Sequence, residues 1–175
     1  DVKHIGQLSR IDEQQYVWLD KFTIRNLELV HPSQSDGTAL IDIMDSTQTP
    51  MGSRLLRKWM VLPLKNKEQV ERRLATVEAF IEEDELLNEV NAYLKQIGDL
   101  ERLISKVATA RINPRELGQL KKSLNQIRPI KEELRKSDNS VFAQYLDQLN
   151  ECEALLENVE ESLKDNAPIN ATQGN

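Results

Sequence analysis

The stretch from Thr38 to Leu64 constrains the fold most strongly, because it holds two predicted helices joined by a short polar turn. Leu40, Ile43 and Met44 recur at helical spacing, which predicts an apolar stripe along the first helix. Asp42 and Asp45 point away from that stripe. The rest of the chain is expected to be organised around this helix pair.

The second helix of the pair has clear start and stop signals. Thr49 is a suitable N-cap because its hydroxyl can accept a hydrogen bond from a free backbone N–H group. Pro50 fits the first helical position, where its missing N–H costs nothing, and Pro63 ends the helix. The apolar residues between them, at helical spacing, are Met51, Leu55, Trp59 and Leu62.

Composition favours an ordered, helix-rich chain. Of the 175 residues, 39% are hydrophobic, 30% are charged and only six are glycine. Aromatic residues make up 5% and few segments alternate with period two, which argues against a large sheet. We therefore expect an all-α fold, an irregular multi-helix bundle with a short extended, β-like segment near the N-terminus. The extended runs are predicted at Tyr16–Leu19 and Phe22–Ile24.

The remaining helix starts complete the predicted bundle. Asp99 is expected to cap one helix, and Asn113, Pro114 and Glu116 form the clearest N-terminal signal in the chain. We expect a leading segment at 1–37, a helical core domain at 38–165 and an exit segment at 166–175. The residues predicted to form the structural core are Leu40, Ile43, Met51, Leu55, Trp59, Leu74, Val77, Leu103 and Leu117.

A heptad-like seam lies near the C-terminus. It predicts one helix, or two helices with a break near Asn150. The seam residues are Phe142, Tyr145, Leu149, Cys152, Leu156, Val159 and Leu163.

The charge distribution gives one weak candidate site. The net charge of −6 argues against a dedicated nucleic-acid surface, which should be basic. The region between Arg54 and Arg73 is nevertheless mostly basic, so it is a candidate contact for phosphate or an acidic partner. Solvated helix faces with internal ion pairs explain the same residues more simply. The candidates are Arg54, Arg57, Lys58, Arg72 and Arg73.

The sequence carries no recognisable catalytic, cofactor-binding or metal-binding pattern. It has neither a Gly-x-x-x-x-Gly-Lys-Ser/Thr phosphate loop nor a Gly-x-Gly-x-x-Gly motif. His4 and His31 are expected to be ordinary residues, and Cys152 to be a small apolar residue on the seam. The single cysteine excludes an internal disulfide and fits a reducing compartment. No apolar run is long enough to cross a membrane, and the first residue, Asp1, suggests a piece of a larger protein.

Several strings of the sequence together resemble the core domain of the MutS family of DNA mismatch-repair proteins. Their order and spacing carry the resemblance across nearly the whole chain. They are Tyr16-x-x-Leu19-Asp20-x-x-Thr23-x-Arg25-Asn26-Leu27-Glu28-Leu29, Asp45-x-Thr47-x-Thr49-Pro50-Met51-Gly52-x-Arg54-Leu55-Leu56 with Trp59 and Pro63-Leu64, Arg73 with Val77, Asp99-Leu100-Glu101-Arg102, and Asn113-Pro114-Arg115-Glu116-Leu117.

The resemblance implies that the chain is the first part of an all-helical core domain. Such a piece would be a scaffold that holds neither the ATPase site nor the mismatch-reading site. It implies that the intact protein is a homodimeric, ATP- and Mg-dependent ATPase of the bacterial cytoplasm, associated with the nucleoid. That protein would bind mismatched double-stranded DNA through other domains and recruit a downstream partner such as MutL. No membrane partner is implied, and this piece itself would hold no cofactor.

Other classes of function remain as alternatives. The chain could be a free-standing helical module that binds a partner helix through the seam from Phe142 to Leu163. It could be the core of a MutS paralogue that acts on recombination intermediates. A small enzyme is the least favoured alternative, because the motifs for it are missing.

Overall fold

The computed structural model describes residues 15–163, and these residues form an all-α structure. They fall into two compact units, an N-terminal unit at 15–75 and a C-terminal unit at 76–163, with the division inside α4. None of the helices in the described part of the chain is long and apolar enough to cross a membrane. The helices are α1 (Lys21–Asn26), α2 (Leu40–Met44), α3 (Pro50–Val61), α4 (Lys67–Glu82), α5 (Asp84–Leu94), α6 (Leu100–Ala108), α7 (Pro114–Leu124), α8 (Ile127–Lys136), a 3-10 helix (Ser140–Phe142), α9 (Ala143–Gln148) and α10 (Glu153–Ser162).

The N-terminal unit begins with the predicted extended segment. Tyr16 forms an isolated antiparallel bridge with Leu64, and the Val17 amide donates to the Pro63 carbonyl over 2.7 Å. The second extended run was predicted wrongly. Phe22–Ile24 lies inside α1, because Asp20 caps that helix by accepting a hydrogen bond from the Thr23 amide. His4 and the predicted exit segment at 166–175 lie outside the described residues.

The first predicted helix, α2, buries a different face from the one that its periodicity indicated. Leu40 and Ile43 are exposed, and Ile43 keeps 72% of its accessible surface, whereas Ala39 and Ile41 are buried. The reason is backbone pairing. The Leu40 and Ile41 amides donate to the Glu28 and Leu29 carbonyls, and this pairing turns Ile41 inward.

The other expected core residues divide between the two units. Leu103 is buried, Leu117 packs against a buried cluster and Met51 is half-buried. The remaining core predictions were wrong for the described residues. An apolar stripe predicts which face of a helix packs against another element, but it does not show which element that is. The exposed members of the predicted core are Leu40, Ile43, Leu55, Trp59, Leu74 and Val77.

The C-terminal unit is built on two hydrophobic clusters. In the α5–α8 cluster, Phe142 is 1% exposed and its ring lies 4.8 Å from that of Phe80, between centroids. The buried members of this cluster are Ala79, Leu86, Val90, Ile130, Leu134 and Phe142. The α6–α7 cluster is smaller, and its buried members are Leu103, Leu120 and Leu124.

The predicted seam is shared between these clusters. It breaks after α9, as the sequence allowed, and the Asn150 side chain accepts a hydrogen bond from the Cys152 amide at the break. Tyr145 and Leu149 pack against the α5–α8 cluster, and Cys152 and Leu156 pack against the α6–α7 cluster. Because these seam residues are used inside the unit, they do not form one continuous face for a partner helix.

The strongest predicted helix starts are confirmed. The Asp99 carboxylate accepts from the Arg102 amide, and Asn113 and Glu116 form a reciprocal capping box at the start of α7. Glu116 also pairs with Lys106 of α6. These bonds lower the pKa of the Glu116 carboxyl, the hydrogen bond from Lys106 most. Glu116 therefore both caps α7 and ties it to α6.

Helix α6 ends in a left-handed residue that is not glycine. Ala110 has φ of 52°, and the Arg111 amide donates to the Lys106 carbonyl, which is the pattern of a Schellman motif. Since a Cβ is unfavourable at positive φ, Ala110→Gly should raise the free energy of unfolding by about 1 kcal/mol. Urea denaturation measures the change. Ala108→Gly is the control and should lower stability, because Ala108 is helical. A loss of stability in Ala110→Gly would contradict the left-handed assignment.

Candidate functional site

The turn between α2 and α3 is held by one carboxylate. Asp45 Oδ1 accepts from the Thr47 amide at 3.0 Å and from the Thr47 hydroxyl at 2.6 Å. Asp45 Oδ2 accepts from the Ser53 hydroxyl, which belongs to the first turn of α3. The carboxylate therefore connects the end of α2 to the start of α3.

The same hydrogen bonds hold the Asp45 carboxyl in its charged form. They lower its pKa below the ordinary value of 3.8, with the Ser53 bond as the largest cause and the Thr47 bonds next. The nearby Arg57 adds a smaller attraction. Because the folded pKa is the lower one, the contribution of Asp45 to stability is present at neutral pH. It is lost as the pH falls through the folded pKa.

The cap of α3 leaves little room beside Gly52. The Thr49 hydroxyl accepts from the Gly52 amide at 3.0 Å, as the N-cap prediction requires. A Cβ added at Gly52 would lie 3.1 Å from Thr49 Oγ1 and 3.2 Å from Thr47 Cβ. Thr47 is itself fixed by Asp45, so it cannot move without breaking the turn.

Exposed apolar side chains lie on α3 and α4 in the N-terminal unit. We define the α3–α4 apolar set as Leu55, Trp59, Val70 and Leu74, of which Leu55 keeps 47% of its surface and Leu74 keeps 61%. The guanidinium of Arg73 lies 3.7 Å from the centroid of the Trp59 ring, a cation–π contact that joins α4 to α3. Apolar residues exposed on two adjoining helices are typical of a surface that meets another protein element.

The five predicted basic residues lie on α3 and α4, the two helices that carry this set. Arg73 is half-buried on Trp59, and Arg57 lies close enough to Asp45 to attract its carboxylate. Arg54, Lys58 and Arg72 are exposed on the same two helices. The sequence prediction missed the Arg73–Trp59 contact and the Ser53 bond. The spacing of Trp59 and Arg73 on successive helices, and a serine in the first turn of α3, were the available signals.

The described residues show no group of three or more side chains suited to hold a metal ion. The chemistry of the region around α2 and α3 is structural in kind: a capped turn, a carboxylate with three hydrogen-bond donors and a cation–π contact.

Gly52→Ala should lower the free energy of unfolding by about 1 kcal/mol, although alanine normally stabilises a helix by that amount. The added Cβ presses on Thr49 and Thr47, which hold the cap and the turn. Gly118→Ala in α7 is the matched control, because among the residues that the structure describes its Cβ would meet only Leu163 Cδ2, at 3.5 Å. The control should be stabilising in the same urea titration. An equal increase in the free energy of unfolding in both variants would show that Thr47 and Thr49 move aside for the added Cβ without cost.

Comparison with known proteins agrees with this scaffold. A family model described as MutS domain III matches residues 22–175. The DNA mismatch repair protein MutS of Cytophaga hutchinsonii is 50% identical over 174 residues, which cover 99% of this chain and 20% of that protein. The proteins of the same name from Christiangramia forsetii and Flavobacterium psychrophilum are 46% and 45% identical, again over 99% of this chain and 20% of each protein.

The chain thus spans about one fifth of the length of the curated relatives that it matches. The resemblance drawn from the Asp45-to-Leu56 string and the Asn113-to-Leu117 string is confirmed by these matches, which include both strings. This chain belongs to the MutS domain III family.

Proposed function

We propose that this chain is the first part of the core domain of a MutS-type mismatch-repair protein, and that it is a scaffold that transmits motion. The observation that carries the proposal is the exposed α3–α4 apolar set, in a chain that spans one fifth of its relatives. Leu55, Trp59, Val70 and Leu74 would pack against later parts of the longer chain.

The construction of the N-terminal unit suits a rigid relay. The Asp45 turn and the Thr49 cap join α2 to α3, and the Arg73–Trp59 contact joins α3 to α4. Rigid packed elements that have two discrete arrangements can connect a nucleotide site to a DNA clamp. The chain would therefore link mismatch recognition and the clamp to the ATPase.

The properties of the intact protein are part of this proposal. It would be a homodimeric ATPase of the bacterial cytoplasm, associated with the nucleoid, that binds mismatched double-stranded DNA and recruits a partner such as MutL. ATP and Mg would be held outside this chain, whose sequence has no phosphate-loop motif. A MutS paralogue acting on recombination intermediates is the weaker alternative, because the three relatives named above are all mismatch repair proteins.

Substitution of the apolar set should separate coupling from stability. In the intact protein, Leu55→Ala and Trp59→Ala should reduce the effect of ATP on mismatch affinity about fivefold or more, because the docked face is weakened. The measurement is mismatch affinity with and without ATP. In the 175-residue chain, Leu55→Ala should change the free energy of unfolding little, since about half of the Leu55 surface is already exposed.

The control for the relay is Lys67→Ala, which removes a side chain that is 86% exposed and pairs with Glu71 on its own helix. It should leave the coupling as in the parent protein. If Leu55→Ala and Trp59→Ala lower the stability of the intact protein but leave the ATP effect unchanged, the relay proposal fails.

The basic residues of α3 and α4 remain a proposed contact for phosphate or an acidic partner. If they contact DNA, the 175-residue chain should bind a duplex at low salt and should not bind it at physiological salt. Its affinity should be the same for matched and mismatched duplexes. Gel-shift titrations of matched and mismatched duplexes measure this, with Arg57→Gln/Lys58→Gln as the test variant. Mismatch-selective binding would contradict the placement of recognition outside this chain. Absence of binding at both salts would exclude the phosphate contact.

A further inference from the structure

A groove with three basic side chains lies in the N-terminal unit, apart from the α3–α4 apolar set. It has a volume of about 580 Å³ and is formed by α1 and the segment that follows it. Lys21 and Arg25 line it from α1, and His31 lines it from the following segment. The side chains of Ile24 and Val30 form an apolar part of its wall. The volume is in the range of small-molecule sites, which combine apolar walls with a few polar groups.

Two carboxylates near this groove accept hydrogen bonds from backbone amides. Asp20 accepts from the Thr23 amide at 2.7 Å and Glu28 accepts from the Ser33 amide at 2.9 Å, and neither acid lines the groove. These hydrogen bonds lower the pKa of both carboxyls, with the bonds from Thr23 and Ser33 as the largest causes. Both acids are therefore charged at neutral pH. Asp20 binds the first turn of α1, and Glu28 binds Ser33, which lines the groove.

The two cations of α1 carry like charges on one short helix. Lys21 and Arg25 are four residues apart, and like charges at this spacing destabilise a helix. Within the described residues neither forms an ion pair with a carboxylate, and the Arg25 guanidinium lies over the Phe22 ring, 5.5 Å from its centroid. A bound anion would remove this repulsion.

The shape of the groove is fixed before any ligand binds. Glu28 has φ of 50°, and the Leu29 amide donates to the Ile24 carbonyl at 3.2 Å, which closes α1 in a Schellman motif. The Glu28–Ser33 bond then closes the loop that carries His31. Because the loop is held at both ends, binding would cost little ordering of the backbone.

We propose that this groove binds a small organic phosphate. Lys21 and Arg25 hold the phosphate group with charge-assisted hydrogen bonds, and His31 adds a third donor. Two fixed cations and a histidine match a dianionic phosphate better than a carboxylate, which carries a single charge. Ile24 and Val30 cover the organic part of the ligand. A small ligand fits better than a nucleic-acid strand, because the groove has a volume of about 580 Å³ and the chain carries a net charge of −6.

The test is an NMR titration of the 175-residue chain that follows the ring protons of His31. The sequence has two histidines, so His4→Gln assigns the His31 signal. The probes are inorganic phosphate, AMP, adenosine as a phosphate-free control, and a short duplex at equal phosphate concentration. We expect His31 to respond saturably to AMP with a dissociation constant of about 1 mM or lower, and to adenosine not at all.

Two double variants identify the site. Lys21→Gln/Arg25→Gln should weaken AMP binding at least about tenfold, whereas Lys65→Gln/Lys67→Gln, with the same charge change elsewhere in the unit, should not. No saturation by AMP up to on the order of 10 mM would overturn the proposal. Equal weakening in both variants, or a response to the duplex alone, would also overturn it. The wild-type titration decides the matter even if a variant fails to fold.

Discussion

The Asp45 carboxylate is the interaction on which the N-terminal unit depends. It accepts three hydrogen bonds, from the amide and hydroxyl of Thr47 and from the hydroxyl of Ser53. A tightly held acceptor with several donors fixes geometry in a way that a single bond cannot, because each donor restricts a different rotation. The position of α3, and with it the display of Leu55 and Trp59, follows from how this turn is closed.

The exposed apolar residues of α3 and α4 become understandable in this setting. A chain that folds alone would be expected to bury its largest apolar stripes, yet Leu55, Trp59 and Leu74 remain accessible while smaller residues such as Ala39 and Ala79 are enclosed. Membership of the MutS domain III family, in proteins about five times longer, gives a physical reason. The stripe would be a face for elements outside this chain.

Local signals in the sequence predicted local structure well. The caps at Thr49, Asp99 and Asn113 were identified correctly, since a cap is formed by residues three positions apart. The all-α class was also predicted correctly, and the break near Asn150 is one of the two alternatives that the sequence left open. The buried face of α2 was not, because it depends on backbone bonds to Glu28 and Leu29, which lie earlier in the chain across an intervening loop. The contact of Arg73 with Trp59 is likewise tertiary, and no periodicity within one helix encodes it.

The division of the C-terminal seam has a consequence for local unfolding. Leu149 packs against one hydrophobic cluster and Cys152 against the other, and only the break between α9 and α10 separates them. Cys152 has φ of 55°, so its backbone is in the left-handed region at the break before α10. Helix α8 contacts both clusters, because Ile130 belongs to the larger one and Ile127 packs against the smaller one. Opening of the smaller cluster would therefore disturb α8, and amide protons of α8 and α10 would exchange with solvent as one cooperative group.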